Sequence, residues 1–179
     1  MGHINTGDIM KEKIMYYLNV FLVYSVLGFI METTLKYLFF PKLNNGFLYG
    51  PWIPIYGLGC CLIIAIMRFV FNRIKTSRWV KIILVFLLAV LILTTLEFIG
   101  GNLIELITGK VFWDYSDLKF NYGNYISLEI SLCWGVMSLV VIYLLKPILD
   151  KLIKKIPSYI TYLVLVCFFI DLVITILKA

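Results

Sequence analysis

Five long apolar runs, at residues 14–40, 54–71, 80–100, 128–145 and 158–177, constrain this chain more than any other feature. A helix rises about 1.5 Å per residue, so about 20 apolar residues cover the hydrocarbon core of a bilayer. A soluble domain of 179 residues has no interior large enough to hide five such runs. The composition agrees, with 62% of residues hydrophobic, 15% charged and a mean hydropathy of +0.98. The expected fold is all-α: a polytopic membrane helix bundle of about five transmembrane helices, with residues 1–179 forming a single membrane domain in contact with the lipid bilayer. Residues 1–12 are polar and are expected to be a mobile N-terminus.

One stretch breaks the pattern. Residues 44–59 are too apolar for a solvated loop and too rich in Gly and Pro for a regular span. Pro51 and Pro54 lack backbone donors, while Gly46, Gly50 and Gly57 permit conformations other residues resist. Such a backbone is tolerated at membrane depth only where protein or a water-filled cavity satisfies its polar groups. These five residues are therefore read as a structural break, a re-entrant or broken segment around which the bundle packs. Pro41 and the Asn44-Asn45-Gly46 turn are expected to end the first helix.

The basic residues settle which side each loop should occupy. With a cytoplasmic N-terminus and five spans, eleven Lys and Arg fall inside and five outside. That is the positive-inside pattern, so the expected orientation is N-terminus inside and C-terminus outside. The net charge of +6 is read as orientation and lipid-surface signal, and no nucleic acid is expected. The Gly/Pro segment and the aromatic outer loop 110–127 then lie on the outer side, where Trp and Tyr suit the membrane–water interface.

The intramembrane acids concentrate on the same side. Ser25, Gly28 and Glu32 share a face of the first helix; Glu97, Gly101 and Glu105 share one of the third. A carboxylate in a span faces the interior and needs a partner. Lys36, one turn after Glu32, is its local partner, whereas Glu97 has no basic residue within a turn and needs one from elsewhere, such as the donors of the broken segment. The pair is expected to flank an outward-facing cavity capped by the Gly/Pro segment, where two carboxylates would share a proton or bind a cation. Tyr49, Trp52, Tyr56, Trp113, Asp114, Tyr115 and Asp117 complete the ligand-binding candidates. Asp114 and Asp117 also suit Asx-type turns, Glu129 suits the start of the fourth helix, and Asp171 suits a position reaching the headgroups.

Other chemistries find little support. Cys60, Cys61, Cys133 and Cys167 form no CxxC pair, and His3 is the only histidine, so no metal, cofactor or nucleophilic triad is expected. No catalytic motif and no phosphate-binding loop is present, so the chain is not read as an enzyme and any ATPase would be a separate chain.

Gly46-Phe-Leu-Tyr-Gly-Pro51 running into Pro54-Ile-Tyr-Gly57, together with Trp113-Asp-Tyr-Ser-Asp117, resembles the ABC-transporter type IV family, the CmpB-like membrane proteins of bacteria. Gly28 with Glu32, Glu97, and Trp134-Gly135 resemble that pattern too, and the likeness covers roughly residues 15–147, leaving out the final helix. The resemblance implies a bacterial inner-membrane protein of permease type, with a separate ATPase or other membrane subunit as partner. The expected function is a transporter component binding a small polar or amphiphilic solute at an outward-facing acidic cavity. The alternative is an accessory, immunity or sensory membrane protein recognising another protein or lipid, with an intramembrane enzyme third. A polar-lined cavity reaching Glu32 would favour the first; a filled core would favour the alternative.

Overall fold

The computed structural model describes residues 6–38 and 46–178. Its helices are α1 (Thr6–Leu38), α2 (Pro54–Arg73), α3 (Arg78–Thr108), α4 (Leu128–Val140), α5 (Lys146–Ile153) and α6 (Ser158–Leu177). A π-turn at Val141–Leu145 joins α4 to α5, so Leu128–Ile153 forms one span. Five helical stretches are thus long and apolar enough to cross a membrane, and the chain is a helical membrane protein. The strand content among the described residues is a two-residue hairpin, β1 (Asn121–Tyr122) against β2 (Ile126–Ser127).

Several boundaries differ from expectation, each for a local reason. Residues 6–12, expected to be mobile, are the first turns of α1; Asp8 in the opening turn complements the helix dipole. Helix α1 is described as far as Leu38, and Pro41, Asn44 and Asn45 lie outside the described residues. Among the described residues the broken backbone runs over 46–53. Pro54 opens α2, where its missing N–H would have had no helical partner, and Gly57 sits within that helix. The fourth span does not stop at residue 145. The Lys146 N–H reaches back to the Val141 carbonyl, and Pro147 is absorbed in the first turn of α5.

Lipid offers no hydrophobic force to drive helices together, so close packing and polar contacts must do so. Helices α1 and α2 meet where both carry glycine. A Cβ on Gly28 would run into the Tyr56 ring, and one on Gly57 into the Phe21 carbonyl and Ser25 hydroxyl. The Ile53 N–H also donates to the Ser25 carbonyl at 3.0 Å, tying the broken segment to α1. Ser77 caps α3, and Ser127 caps α4 by accepting from the Ile130 N–H at 3.3 Å. Thr94 donates to Ser131 at 2.7 Å between α3 and α4. Two apolar clusters fill the bundle, one around Val20, Tyr24, Ile64, Val141 and Ile153, the other around Ile63, Val70, Val85, Ala89 and Ile142.

The alternating spans give the molecule two unlike ends. One, the basic end, gathers the N-terminal turns of α1, the α2–α3 connection and the α5–α6 connection. The other, the aromatic end, gathers residues 46–53 and 109–127.

Candidate functional site

At the aromatic end, tyrosine hydroxyls from one element reach carboxylates on another. Tyr56, in the first turn of α2, donates to Glu32 of α1 at 2.8 Å. Tyr115, in the aromatic loop, donates to Glu97 of α3 at 2.7 Å. Tyr125 donates to Glu105 of α3 at 2.9 Å. Glu97 is buried, and it lies within electrostatic reach of Glu32. Among the described residues no cation pairs with any of the three acids; the one ion pair joins Lys146 to Asp150 at the other end. Lys36 therefore does not pair with Glu32. Nor does the broken segment satisfy Glu97, whose donor comes from the Trp-Asp-Tyr-Ser-Asp loop instead.

Burial and its acidic partner shape the loop tyrosines. Burial, followed by the charge of Glu97, holds the Tyr115 phenol far above its ordinary value. Burial, followed by the Glu105 hydrogen bond, pushes Tyr125 up to about 12.

Below Glu97 a cavity of about 280 Å³ opens between α1, α2, α3 and the α4–π-turn segment. Glu97, Tyr56 and Trp134 mark one end; Leu27, Met31, Ile63, Leu93 and Leu145 are among its apolar walls. Tyr24 and Trp134 both line it; the Tyr24 hydroxyl is buried with no hydrogen-bond partner among the described residues, whereas the Trp134 indole N–H lies within reach of Glu97. The cavity is more apolar than the expected acidic site. Glu32 stands behind Tyr56 and does not line it.

The remaining candidates are dispersed around the aromatic end. Trp113 packs edge-on against Tyr125, ring centroids 5.7 Å apart. Asp114 accepts from the Ser116 N–H at 2.8 Å, an Asx turn, and Asp117 is exposed. Tyr49 is exposed, with Lys178 over its ring. Trp52 packs edge-on against Phe168 of α6. A second, shallower hollow of about 670 Å³ lies between Phe29, Leu48, Tyr49 and Phe112.

Asp171, expected to reach the headgroups, instead holds the broken segment. It accepts from the Tyr49 N–H at 3.2 Å, the Gly50 N–H at 2.9 Å and the Trp52 indole at 2.7 Å. A carboxylate answering stranded backbone donors is the compensation such a segment needs. Glu129 accepts from the Phe120 N–H at 3.2 Å and the Ser127 hydroxyl at 2.8 Å, bracing the hairpin against α4.

Five apolar spans, four of which enclose a cavity with a buried acid, define a polytopic membrane protein. The family described as "Putative ABC-transporter type IV" matches residues 19–176. The chain belongs to that family, and the match takes in the final helix, beyond the reach of the motifs first recognised. No curated protein and no solved structure matches the chain.

Proposed function

We propose that the protein is the membrane component of a transporter and binds a small amphiphilic solute in the cavity below Glu97, reached from outside the cell. The observation that carries this reading is the cavity itself, a volume of about 280 Å³ ending in a buried carboxylate without a cationic partner among the described residues. Leaving such a group unpaired costs stability unless something else answers it. Glu97 receives the solute's polar group, Tyr56 and Trp134 frame it, and the apolar walls take the rest. Glu32 positions Tyr56 from behind. The aromatic loop, through Tyr115, and the segment 46–53 form the outer rim.

The basic end faces the cytoplasm in this reading, in the inner membrane of a bacterium with the C-terminus outside, because eleven of the sixteen Lys and Arg fall there. The α2–α3 connection with Arg73, Lys75, Arg78 and Lys81 is the surface for a separate ATPase subunit.

Cysteine labelling tests both cavity and orientation. Leu96, which lines the cavity, is changed to Cys after the four native cysteines are replaced. A small membrane-impermeant thiol reagent added outside intact cells should label it. Labelling only from the cytoplasmic side would overturn the orientation, and no labelling from either side would overturn the solute cavity.

A further inference from the structure

We infer, resting on the reading above, that the solute is an amphiphile with an amine head, its ammonium on Glu97 and its tail along the cavity toward Tyr24. Shape supports the tail. Trp134 and Leu145, both lining residues, are eleven residues apart (145 − 134) on one continuous helical span. At about 1.5 Å per residue this is roughly 16 Å, so the cavity is elongated along the span. The walls between the ends are Leu27, Met31, Leu93, Leu96, Met137 and Val141, which offer a tail contact and no hydrogen bonds.

Chemistry supports the head. Glu97 is only 5% exposed, accepts a hydrogen bond from Tyr115 on Oε1, and has no cation in ion-pair distance among the described residues. A group that brings N–H donors and positive charge answers it; a carboxylate or phosphate head would face like charge. A bare metal ion is a poor alternative, because hard cations take six or more oxygens. The described residues contain no group of three His, Cys, Asp or Glu side chains that could hold one. Independent of the acid, the Tyr24 hydroxyl is buried without a partner, on a residue that is 3% exposed and lines the same cavity. A phenol oxygen accepts from an ammonium as well as donating, so the cavity carries a second station for the same head.

The test uses the full chain in phosphatidylcholine vesicles and dodecylamine brominated at mid-chain, since bromine quenches indole fluorescence. Saturable quenching is expected, lost in Trp134→Phe and weakened at least tenfold in Glu97→Gln. Met31→Phe, which narrows the apolar stretch without adding an indole or touching Glu97, should also weaken it, guarding against an effect of the acid on folding alone. Ethylamine should fail to protect the Leu96→Cys probe at concentrations where dodecylamine does. If the chain-matched bromo-carboxylate binds equally well, or ethylamine protects equally well, the amine-amphiphile assignment falls while the cavity reading stands. If no probe gives Trp134-dependent quenching and Leu96→Cys is unlabelled, both fall.

Discussion

The two ends of the bundle use the same pair of side chains to opposite effect. At the basic end, Asp150 accepts from the Tyr16 hydroxyl at 2.9 Å and also pairs with Lys146, one turn away. Nearby, the Arg68 guanidinium lies over the Tyr16 and Tyr17 rings, 4.8 and 5.4 Å from their centroids. At the aromatic end, Glu32, Glu97 and Glu105 each have a tyrosine donor and no cation among the described residues. A neutral hydroxyl orients a carboxylate without cancelling its charge. The Asp150 carboxylate at the basic end is therefore answered by a cation, whereas Glu32, Glu97 and Glu105 at the aromatic end are answered by neutral donors alone among the described residues.

The sharpest way to break that contrast is to neutralise one acid at each end. Asp150→Asn strands Lys146, which is only 14% exposed, and should cost about 2 kcal/mol of stability in reversible unfolding from mixed micelles. Glu97→Gln keeps an oxygen that accepts from Tyr115 and should stay within about 1 kcal/mol of the parent, while solute binding collapses. Equal stability losses would erase the distinction between the ends.

Asp171→Asn probes the aromatic end without touching the cavity. An amide oxygen cannot replace both carboxylate oxygens toward three donors, so about 1.4 kcal/mol of local stability should go. Amide hydrogen exchange at Tyr49 and Gly50 should then rise about tenfold, with α1 exchange unchanged. Tyr115→Phe removes one hydrogen bond to Glu97 and should cost about 1 kcal/mol or less. Its effect on solute affinity should exceed its effect on stability if the loop forms the rim.

The smallest effect concerns Tyr125. Its phenol is raised from an ordinary value near 10 to about 12, so the native hairpin favours the protonated form. Any stability this lends is complete below pH 10 and is lost as pH rises through 12. Near-UV phenolate absorbance should show two loop tyrosines, Tyr115 and Tyr125, titrating late, and Glu105→Gln should bring Tyr125 down.

What could be read from the residues alone follows the reach of each interaction. Long apolar runs announce spans because spanning is a property of consecutive residues. The Asx turn at Asp114 is equally local, with its partner two residues away. The outer placement of Glu32 and Glu97 needed only helix arithmetic. Their tyrosine partners are another matter: Tyr115 follows Glu97 by 18 residues through an irregular loop, and no periodicity aims its hydroxyl. Asp150 and Lys146 stand at helical spacing just beyond the apolar run 128–145, so their pairing shows only once the helix is carried past Pro147. The cavity is the least legible, because it is what four packed faces leave unfilled.

The grip of Asp171 on the broken segment also dictates an order of assembly. Its partners Tyr49, Gly50 and Trp52 precede it by 122, 121 and 119 residues, so they are synthesised well before the carboxylate that satisfies them. Until α6 enters the bilayer, the Tyr49 and Gly50 N–H groups have no Asp171 to meet. The last helix is thus the keystone of the aromatic end rather than a peripheral addition. A chain halted before residue 171 would present an unfinished surface, the kind of defect that membrane quality control can recognise.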